Sequence, residues 1–466
     1  MSNTLHYDNL VSDEDWSPAV FDERQKKSGW EWYLVFCFTL ILLEAFFNAD
    51  IGRMLEAREY WFTRIVFWKA LPTDLYFLGA GFIIGLAILA GGSGSGRAPS
   101  KGVLGFVLLW VLYGVAAAYG GYVGNPEWHR DFRNVILPSV VVPWAIVLAH
   151  QVRMDVVMSR IIKISLLLAF ANMVRGLLFF ARGGTAADEP FSSGSWQADF
   201  GLLLVYLLAF SRSISGNKGS KLSVVILAVG VLAPLHKQTL AIFLVANVFL
   251  LFMVVYNGRG NVNLSRTLLT VILLVVFGTI FGTVLLSLGG GAARDFLYER
   301  ILKGGRQEEL MSGTGRSEIW KEALVRWTKK PVLGEGLGAA HLVSTYERGI
   351  WWVPTHNYAL QMLMQTGIIG FLLIFVVMMS WMVRAVKTLK YEVDPHLFWV
   401  RMALTSYIVA LLITCLFGYY LAARCVAYTF WLLIGFETYA HSRFYSQVEY
   451  GVPYGQHEDV PFVVGG

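Results

Sequence analysis

Long apolar runs recur along almost the whole chain, and they constrain its fold more than any other feature. An α-helix needs about 17–25 mostly apolar residues to cross the hydrocarbon core of a bilayer. Hydrophobic residues make up 56% of the chain and charged residues 15%, with a mean hydropathy of +0.55, whereas soluble domains are nearer to a quarter charged. The sequence therefore predicts an all-α polytopic membrane protein.

Twelve apolar runs are candidate membrane helices. They divide the chain into a polar tail (1–29), helices 1–9 (30–288), a large loop (289–357), helices 10–12 (358–441) and a second tail (442–466). The twelve runs are 30–49, 73–91, 102–119, 135–150, 161–180, 197–211, 222–235, 239–256, 267–288, 358–383, 397–420 and 425–441.

The basic residues of the short connections predict which side of the membrane each loop faces. With the N-terminus in the cytoplasm, cytoplasmic connections carry thirteen lysines and arginines and the opposite connections carry five, which agrees with the excess of positive charge on cytoplasmic loops. The connection at 50–72 departs from this bias. Both tails are then expected in the cytoplasm and the large loop outside it. This topology accounts for the net charge of +6, so we expect no nucleic-acid partner.

The large loop contains a predicted amphipathic helix. Apolar residues recur at helical spacing over 317–328, and Arg316 lies four residues before Trp320, on the same helical face. We expect this helix on the membrane surface, with its tryptophans at the interface. The following "VLGEGLG" lacks the Lys-Ser/Thr pair and the strand–helix context of a nucleotide-binding loop, so its glycines indicate turns.

Polar residues next to apolar runs are the first candidates for a site, because such residues usually face a cavity. His236, Lys237 and Gln238 lie between the seventh and eighth runs. They form either a water-exposed turn or a cationic site for a lipid-linked phosphate. Arg175, inside the fifth run, either extends to the membrane surface or lines the same cavity.

His356 lies in "WWVPTHNYALQ", at the start of the tenth run. Histidine suits proton removal near neutral pH, and arginine suits the binding of a diphosphate. His356 and Arg316 are therefore candidate catalytic residues. In the alternative reading this stretch only begins a helix, with Thr355 or Asn357 as its cap.

Metal-dependent chemistry has little support in the sequence. The one Asp-x-Asp pattern, Asp13 to Asp15, lies in the polar N-terminal tail. No other His/Asp cluster has the spacing of metal ligands. We expect chemistry without a metal or cofactor.

Two segments together resemble the O-antigen ligase and polymerase superfamily. "GRSEIWKEALVRWTKKPVLGEGLG" and "THNYALQMLMQTGIIGFLLI" show its pattern of an arginine, a tryptophan four residues on, a proline, a G-x-G and a His-Asn leading into a glycine-bearing helix. The motif covers about residues 313–372. The resemblance implies a metal-independent, inverting glycosyltransferase with a GT-C-like fold in the bacterial inner membrane. Such enzymes move a glycan from a polyprenyl (undecaprenyl) diphosphate donor to a sugar hydroxyl of a glycan or lipid-linked glycan acceptor, on the extracytoplasmic side.

The resemblance also implies roles for individual residues. His356 corresponds to the base that deprotonates the acceptor, and Arg316 to a diphosphate-binding arginine. Where family members commonly have a Ser-Arg pair, this chain has His236 and Lys237. Lysine keeps the charge but loses bidentate phosphate recognition. Further substrate-binding candidates are Gln238, Arg175 and Asn357.

Three alternatives remain open at the level of sequence. Replacement of the Ser-Arg pair favours an O-antigen or exopolysaccharide polymerase over a ligase that joins polymer to lipid A-core. Another GT-C transferase would use an acid of the first outer loop as base, and Asp50 lies at that position. A polysaccharide or lipid-linked sugar transporter would show inverted repeats and broken helices in matching halves.

Overall fold

Helices form most of the chain that the computed structural model describes. The described residues are 28–47, 101–125, 128–149, 152–181, 195–215, 220–233, 237–257, 316–339, 341–345, 349–353, 355, 357–392, 394–416, 418, 421 and 424–450, with scattered positions between 265 and 287. The helices are α1 (Ser28–Phe47), α2 (Lys101–Tyr122), α3 (Trp128–Asp131), α4 (Val141–Ala149), α5 (Met154–Ala181), α6 (Ser195–Ile214), α7 (Lys221–Leu232), α8 (Lys237–Asn257), α9 (Arg316–Lys329), α10 (Tyr358–Leu389), α11 (Pro395–Thr414) and α12 (Arg424–Tyr450).

The predicted fold class, an all-α membrane protein, is confirmed. Each predicted run within the described residues overlaps a helix, while 73–91 lies outside them and 267–288 is described only at scattered positions. By length and composition, three described helices can cross a membrane, namely Thr239–Tyr256 within α8, all of α10, and Leu397–Thr414 within α11. The division into tails, loop and membrane halves stays a prediction.

Three helices form the centre of the bundle. Nearly every described side chain of α6 from Ala198 on is buried, and the same holds for the middle of α11 and for the first half of α12. Around α6 lie α1, α5, α7, α8, α11 and α12. Helices that are apolar on every side are expected in such central positions.

The fourth predicted run, 135–150, is not one regular helix. A π-helical turn (Phe132–Ile136) and a 3₁₀ turn (Leu137–Val140) precede α4. Pro138 lies in the first turn of the 3₁₀ segment and has no amide hydrogen to continue an α-helical ladder. The proline therefore accounts for the change of helical type.

The large loop contains two strands in addition to its helix α9. After α9, strands β1 (His341–Thr345) and β2 (Gly349–Val353) form an antiparallel hairpin in which Val343 pairs with Trp351. The segments "HLVST" and "GIWWV" are rich in β-branched and aromatic residues, which favour strands. The consecutive Trp351 and Trp352 thus belong to a hairpin that leads into α10.

Contacts between segments agree with the alternation of sides in the predicted topology. Glu31 and Arg160, both predicted at the cytoplasmic side, form an ion pair at 3.0 Å. Tyr119 and Lys330, both predicted outside, form a hydrogen bond at 3.0 Å. The membrane topology itself stays a prediction.

A charged cluster lies at the C-terminal end of α10, where α11 and α12 pack against it. The guanidinium of Arg401, 1% exposed, donates from Nε to both carboxylate oxygens of Glu437 (3.0 and 3.1 Å). It also reaches Glu392 Oε2 (3.0 Å) and Thr388 Oγ1 (2.8 Å). The sequence reading did not identify this cluster, which joins three helices.

Candidate active site

The chain neighbours of His356 are fixed by hydrogen bonds. His356 lies outside the described residues, whereas Thr355 and Asn357 are described. The buried Thr355 donates its amide to Gln361 Oε1 (2.9 Å) and its hydroxyl to the Asn357 carbonyl (2.6 Å). Asn357 Oδ1 accepts from the Leu360 amide (3.0 Å) and caps α10. Asn357 is therefore the helix cap, and its contact with substrate stays a prediction.

Trp320 links the beginning of α9 to the residue before His356. Its indole Nε1 donates to the Thr355 carbonyl at 2.8 Å. Arg316, described at the level of its backbone, is the first residue of α9 and lies four residues before Trp320. One turn of α-helix rises about 5.4 Å. The start of the helix that carries Arg316 thus lies close to the chain that carries His356.

The tenth predicted helix is broken at Gly367, which has φ +63° and ψ −170°. The segment 331–336 packs into this break and satisfies its backbone groups. The carbonyls of Met364 and Gln365 accept from the amides of Glu335 and Gly336, both at 2.9 Å. On the other side of the break, the Ile368 and Ile369 amides donate to the Pro331 and Val332 carbonyls (2.8 and 3.4 Å). Irregular backbone is tolerated at membrane depth where protein covers it in this way.

Glycine is required on both sides of this contact. A Cβ at Gly367 would lie 2.2 Å from the Val332 carbonyl oxygen, and one at Gly334 would lie 2.5 Å from the Gln365 carbonyl carbon. Gly334, Gly336 and Gly338 all have positive φ, which L-residues with a Cβ rarely adopt. The glycines form turns, as predicted, and in addition allow two backbones to touch.

A buried carboxylate holds the end of the glycine segment, which comprises residues 331–339. Asp131, 6% exposed, accepts through Oδ2 from the Gly338 amide (3.2 Å) and from Gln365 Nε2. The Ala339 carbonyl accepts from Gln361 Nε2 (2.7 Å) and Gln365 Nε2 (3.2 Å). The two glutamines are one turn apart on α10, so they hold the same carbonyl from one helical face.

Two further contacts hold the glycine segment in place. Asn125, just after α2, donates from Nδ2 to the carbonyls of Glu335 (3.0 Å), Gly336 (3.3 Å) and Leu337 (3.0 Å). Arg326 on α9 donates from Nε to both carboxylate oxygens of Glu335 (3.1 and 2.9 Å). The segment is therefore held by α2, α9 and α10 together.

A second polar cluster lies between α5, α6, α7 and α8. Asp199 is fully buried, and its oxygens accept from Asn172 Nδ2 (3.0 Å) and Thr239 Oγ1 (3.3 Å). Asn172 Nδ2 also donates to the Gly230 carbonyl (2.8 Å). Hydrogen-bond donors of this kind compensate the cost of burying a carboxylate.

This second cluster lies next to three of the predicted substrate-binding residues. Arg175 lies three residues after Asn172 on α5, with its Cζ 6.0 Å from the centre of the Phe46 ring. Lys237 and Gln238, described at the level of their backbone, begin α8 immediately before Thr239. His236 lies outside the described residues.

The predicted residues thus fall into two groups, and the structure adds residues that the sequence reading missed. In the first group, Trp320 connects the helix that begins at Arg316 to Thr355. In the second, Asp199 contacts Asn172, on the helix of Arg175, and Thr239, which follows Lys237 and Gln238. The missed residues are Asp131, Gln361, Gln365, Asn172 and Asp199. Gln361 and Gln365 carried a usable signal, since two amides four residues apart in an apolar run are expected to face protein. Asp131 carried none, because its partners are distant in sequence.

In the described part of the chain, no group of three or more histidine, cysteine, aspartate or glutamate side chains is placed to hold a metal ion.

Comparison with known families gives one match. A model of the family described as O-antigen ligase matches residues 222–375, which is less than half of the chain. The matched segment includes Lys237, Arg316, the glycine segment, His356 and the break at Gly367. Comparison with curated protein sequences gave no match. The family match supports the resemblance of this chain to the O-antigen ligase and polymerase superfamily, and at family level it supports a membrane enzyme of that type.

Proposed function

We propose that the protein is a glycosyltransferase of the bacterial inner membrane that moves a glycan from polyprenyl (undecaprenyl) diphosphate to a sugar hydroxyl on the extracytoplasmic side. His356 is the base, and Arg316 binds the diphosphate. The observation that carries the proposal is the hydrogen bond from Trp320 to the Thr355 carbonyl, because it joins the start of the Arg316 helix to the residue before His356. The family match supports the reaction class.

The reaction forms one bond and breaks another at the anomeric carbon. The acceptor oxygen attacks this carbon while its proton passes to the imidazole of His356, and the bond to the diphosphate breaks with inversion. Arg316 stabilises the charge on the departing diphosphate, and Lys237, His236, Gln238 and Arg175 provide further contacts to diphosphate or glycan. The donor is already activated, so positioning and charge stabilisation suffice without a metal or cofactor.

An apolar cavity along α10 suits the lipid chain of the donor. Its volume is about 720 Å³, and it extends from Tyr358, two residues after His356, to Lys387 between α8 and α11. Phe252, Phe375 and Met378 are among the residues that line it. A polyprenyl chain held there would place its diphosphate near the start of α10.

Of the two candidate enzymes, a polymerase and a ligase, the replacement of the Ser-Arg pair by His236 and Lys237 favours the polymerase. A polymerase joins repeat units, and a ligase transfers finished polymer to lipid A-core. In cells that lack the gene, single carrier-linked repeat units accumulate if a polymerase is lost. Carrier-linked polymer accumulates if a ligase is lost.

Transporters also contain broken helices, which they use to bind substrates and ions. In such proteins the unwound backbone faces the substrate or ion. Here the carbonyls of Met364 and Gln365 accept hydrogen bonds from the chain's own segment 331–336. The break is filled by protein, which favours a structural role over an ion site.

The test replaces His356 and Arg316 separately by alanine in cells that lack the wild-type gene. Because proton removal and diphosphate binding both act in the transition state, we expect either variant to lower glycan transfer by about 10²–10⁴-fold. The measurement is the accumulation of carrier-linked glycan at matched protein levels.

Two substitutions serve as matched controls. His129→Ala removes an exposed histidine of α3, and Lys329→Ala removes an exposed cation of α9. Both are expected to transfer glycan at the wild-type rate. Wild-type transfer by both His356→Ala and Arg316→Ala would refute the proposed mechanism.

A further inference from the structure

A chain of buried hydrogen bonds runs from Asp131 to the residue before His356. Asp131 accepts from Gln365, both glutamines of α10 donate to the Ala339 carbonyl, and Gln361 accepts from the Thr355 amide. None of these five residues is more than 6% exposed. Water therefore does not compete for these hydrogen bonds, and each group depends on its protein partner.

We propose that Asp131 is a positioning residue for the reaction and acts on His356 through Gln365, Ala339, Gln361 and Thr355. This inference rests on the proposed function, since it presumes that His356 is the base. Asp131 lies outside the segment that matches the O-antigen ligase family. It follows α2 and precedes the π-helical turn, so a different part of the chain supports the catalytic residue.

The geometry of Asp131 shows which chemical property is needed. The Gly338 amide and Gln365 Nε2 donate to the same carboxylate oxygen. An asparagine at this position can present its one amide oxygen to both donors, whereas an alanine can present none. The role of an acceptor therefore predicts that asparagine substitutes for aspartate and alanine does not.

Gln361 is the second point at which the chain of hydrogen bonds can be cut. Its oxygen holds the Thr355 amide (2.9 Å) and its nitrogen holds the Ala339 carbonyl (2.7 Å). The variant Gln361→Ala removes the link between Thr355 and the glycine segment, but it keeps the contacts of Asp131 with Gly338 and Gln365. The Trp320 bond to the Thr355 carbonyl remains, so we expect Thr355 to shift while it stays attached to α9.

The test compares turnover and KM for a polyprenyl-diphosphate-linked glycan, using the purified full-length chain in lipid nanodiscs. We expect Asp131→Ala and Gln361→Ala to lower kcat by about ten- to a hundred-fold, because small misplacements of a catalytic group have effects of this size. KM is expected to stay within about twofold, since the donor-binding cations are untouched. Asp131→Asn is expected to keep at least about half of the wild-type turnover if one oxygen serves both donors.

A control and a double variant separate positioning from general damage. Thr366→Ala removes a buried hydroxyl of the same helix, which donates to the Met362 carbonyl of that helix and makes none of the contacts between Asp131 and Thr355, and it should turn over like wild type. The combined Asp131→Ala/Gln361→Ala variant should be no slower than the slower single variant, because both cut one pathway.

Several outcomes would overturn the inference. Folded Asp131→Ala with wild-type kcat would show that His356 does not depend on Asp131. Loss of turnover in Asp131→Asn equal to that in Asp131→Ala would show that the charge itself acts. If Asp131→Ala does not fold, Asp131→Asn and Gln361→Ala decide the question by the same criteria. His356→Ala in the same assay tests the proposed function separately, since its wild-type turnover would refute that function whatever Asp131 does.

Discussion

The two ends of α10 are held by different kinds of contact. At the end near Tyr358, glutamine amides, backbone groups and glycines join α10 to the segment 331–339. At the end near Leu389, the guanidinium of Arg401 is surrounded by Glu437, Glu392 and Thr388.

The difference follows from what each end has to do. Ion pairs hold helices together through charge, and their strength depends on both partners staying in place. Close backbone contact instead depends on shape, and only glycine permits it at Gly367. The first end carries the candidate site, where fixed amide dipoles can orient neighbouring groups. We therefore interpret the Leu389 end as an anchor and the Tyr358 end as the reacting end.

The largest effect on stability is expected from Arg401→Ala. The substitution leaves Glu437, 1% exposed, without its cation, and breaking a buried pair on one side costs about 3–5 kcal/mol. Thermal unfolding of the purified protein measures this loss. Arg401→Leu combined with Glu437→Leu should recover part of it, because both buried charges are then gone. If the Arg401→Ala molecules that fold are also inactive, the Leu389 end has a role in the reaction besides anchoring the helix.

The next effect is expected from Gly367→Ala at the break. A Cβ there would lie 2.2 Å from the Val332 carbonyl oxygen at a φ of +63°, so strain and displacement together should destabilise the protein by about 2–4 kcal/mol. The measurement is again the unfolding temperature. The control is Gly114→Ala on α2, where a Cβ meets nothing within 4 Å and alanine should be neutral or stabilising. Equal unfolding temperatures for the two variants would show that the break does not require glycine.

A smaller effect is expected at Asn125, where the order of two substitutions is informative. Asn125→Ala removes a donor to three carbonyls of the glycine segment and should cost about 1–2 kcal/mol. Asn125→Asp should cost more than alanine, because a carboxylate would face carbonyl oxygens. Unfolding temperatures of both variants test this order. A more stable aspartate variant would show that Asn125 does not hold the segment as a donor.

The smallest effect is expected from metal removal. Activity should be unchanged when the purified protein is treated with EDTA, because the proposed mechanism uses His356 and cationic side chains alone. Transfer of glycan from the carrier lipid, assayed with and without chelator, measures this. Loss of activity that Mg²⁺ or Mn²⁺ restores would contradict the metal-independent mechanism.

Helices were predictable from the sequence because the length of an apolar run is a local property. Helix ends were less so: the run 425–441 is part of α12, which continues to Tyr450 through polar residues. The run 397–420 exceeds α11, which ends at Thr414. Hydropathy shows where apolar character stops, and a helix can end before or after that point.

The candidate site was predictable only in part, for a physical reason. Arg316, Trp320 and the residues around His356 lie in motifs that can be read locally. The break at Gly367 depends on contact with Val332, and the role of Asp131 depends on Gln365. The Arg401 cluster was missed for the same reason, since Arg401 and Glu437 lie on different helices. Contacts between residues distant in sequence leave no periodic signal.

The most direct test of the proposed function is release of polyprenyl diphosphate by the purified protein in nanodiscs, supplied with a polyprenyl-diphosphate-linked glycan and its acceptor. Three proteins are compared, namely wild type, His356→Ala and Asp50→Asn. If His356 is the base, wild type and Asp50→Asn release the carrier at similar rates. Folded His356→Ala is then slower by about 10²–10⁴-fold. Wild-type release by His356→Ala, together with loss of release in Asp50→Asn, would contradict the assignment and move the base to the first outer loop.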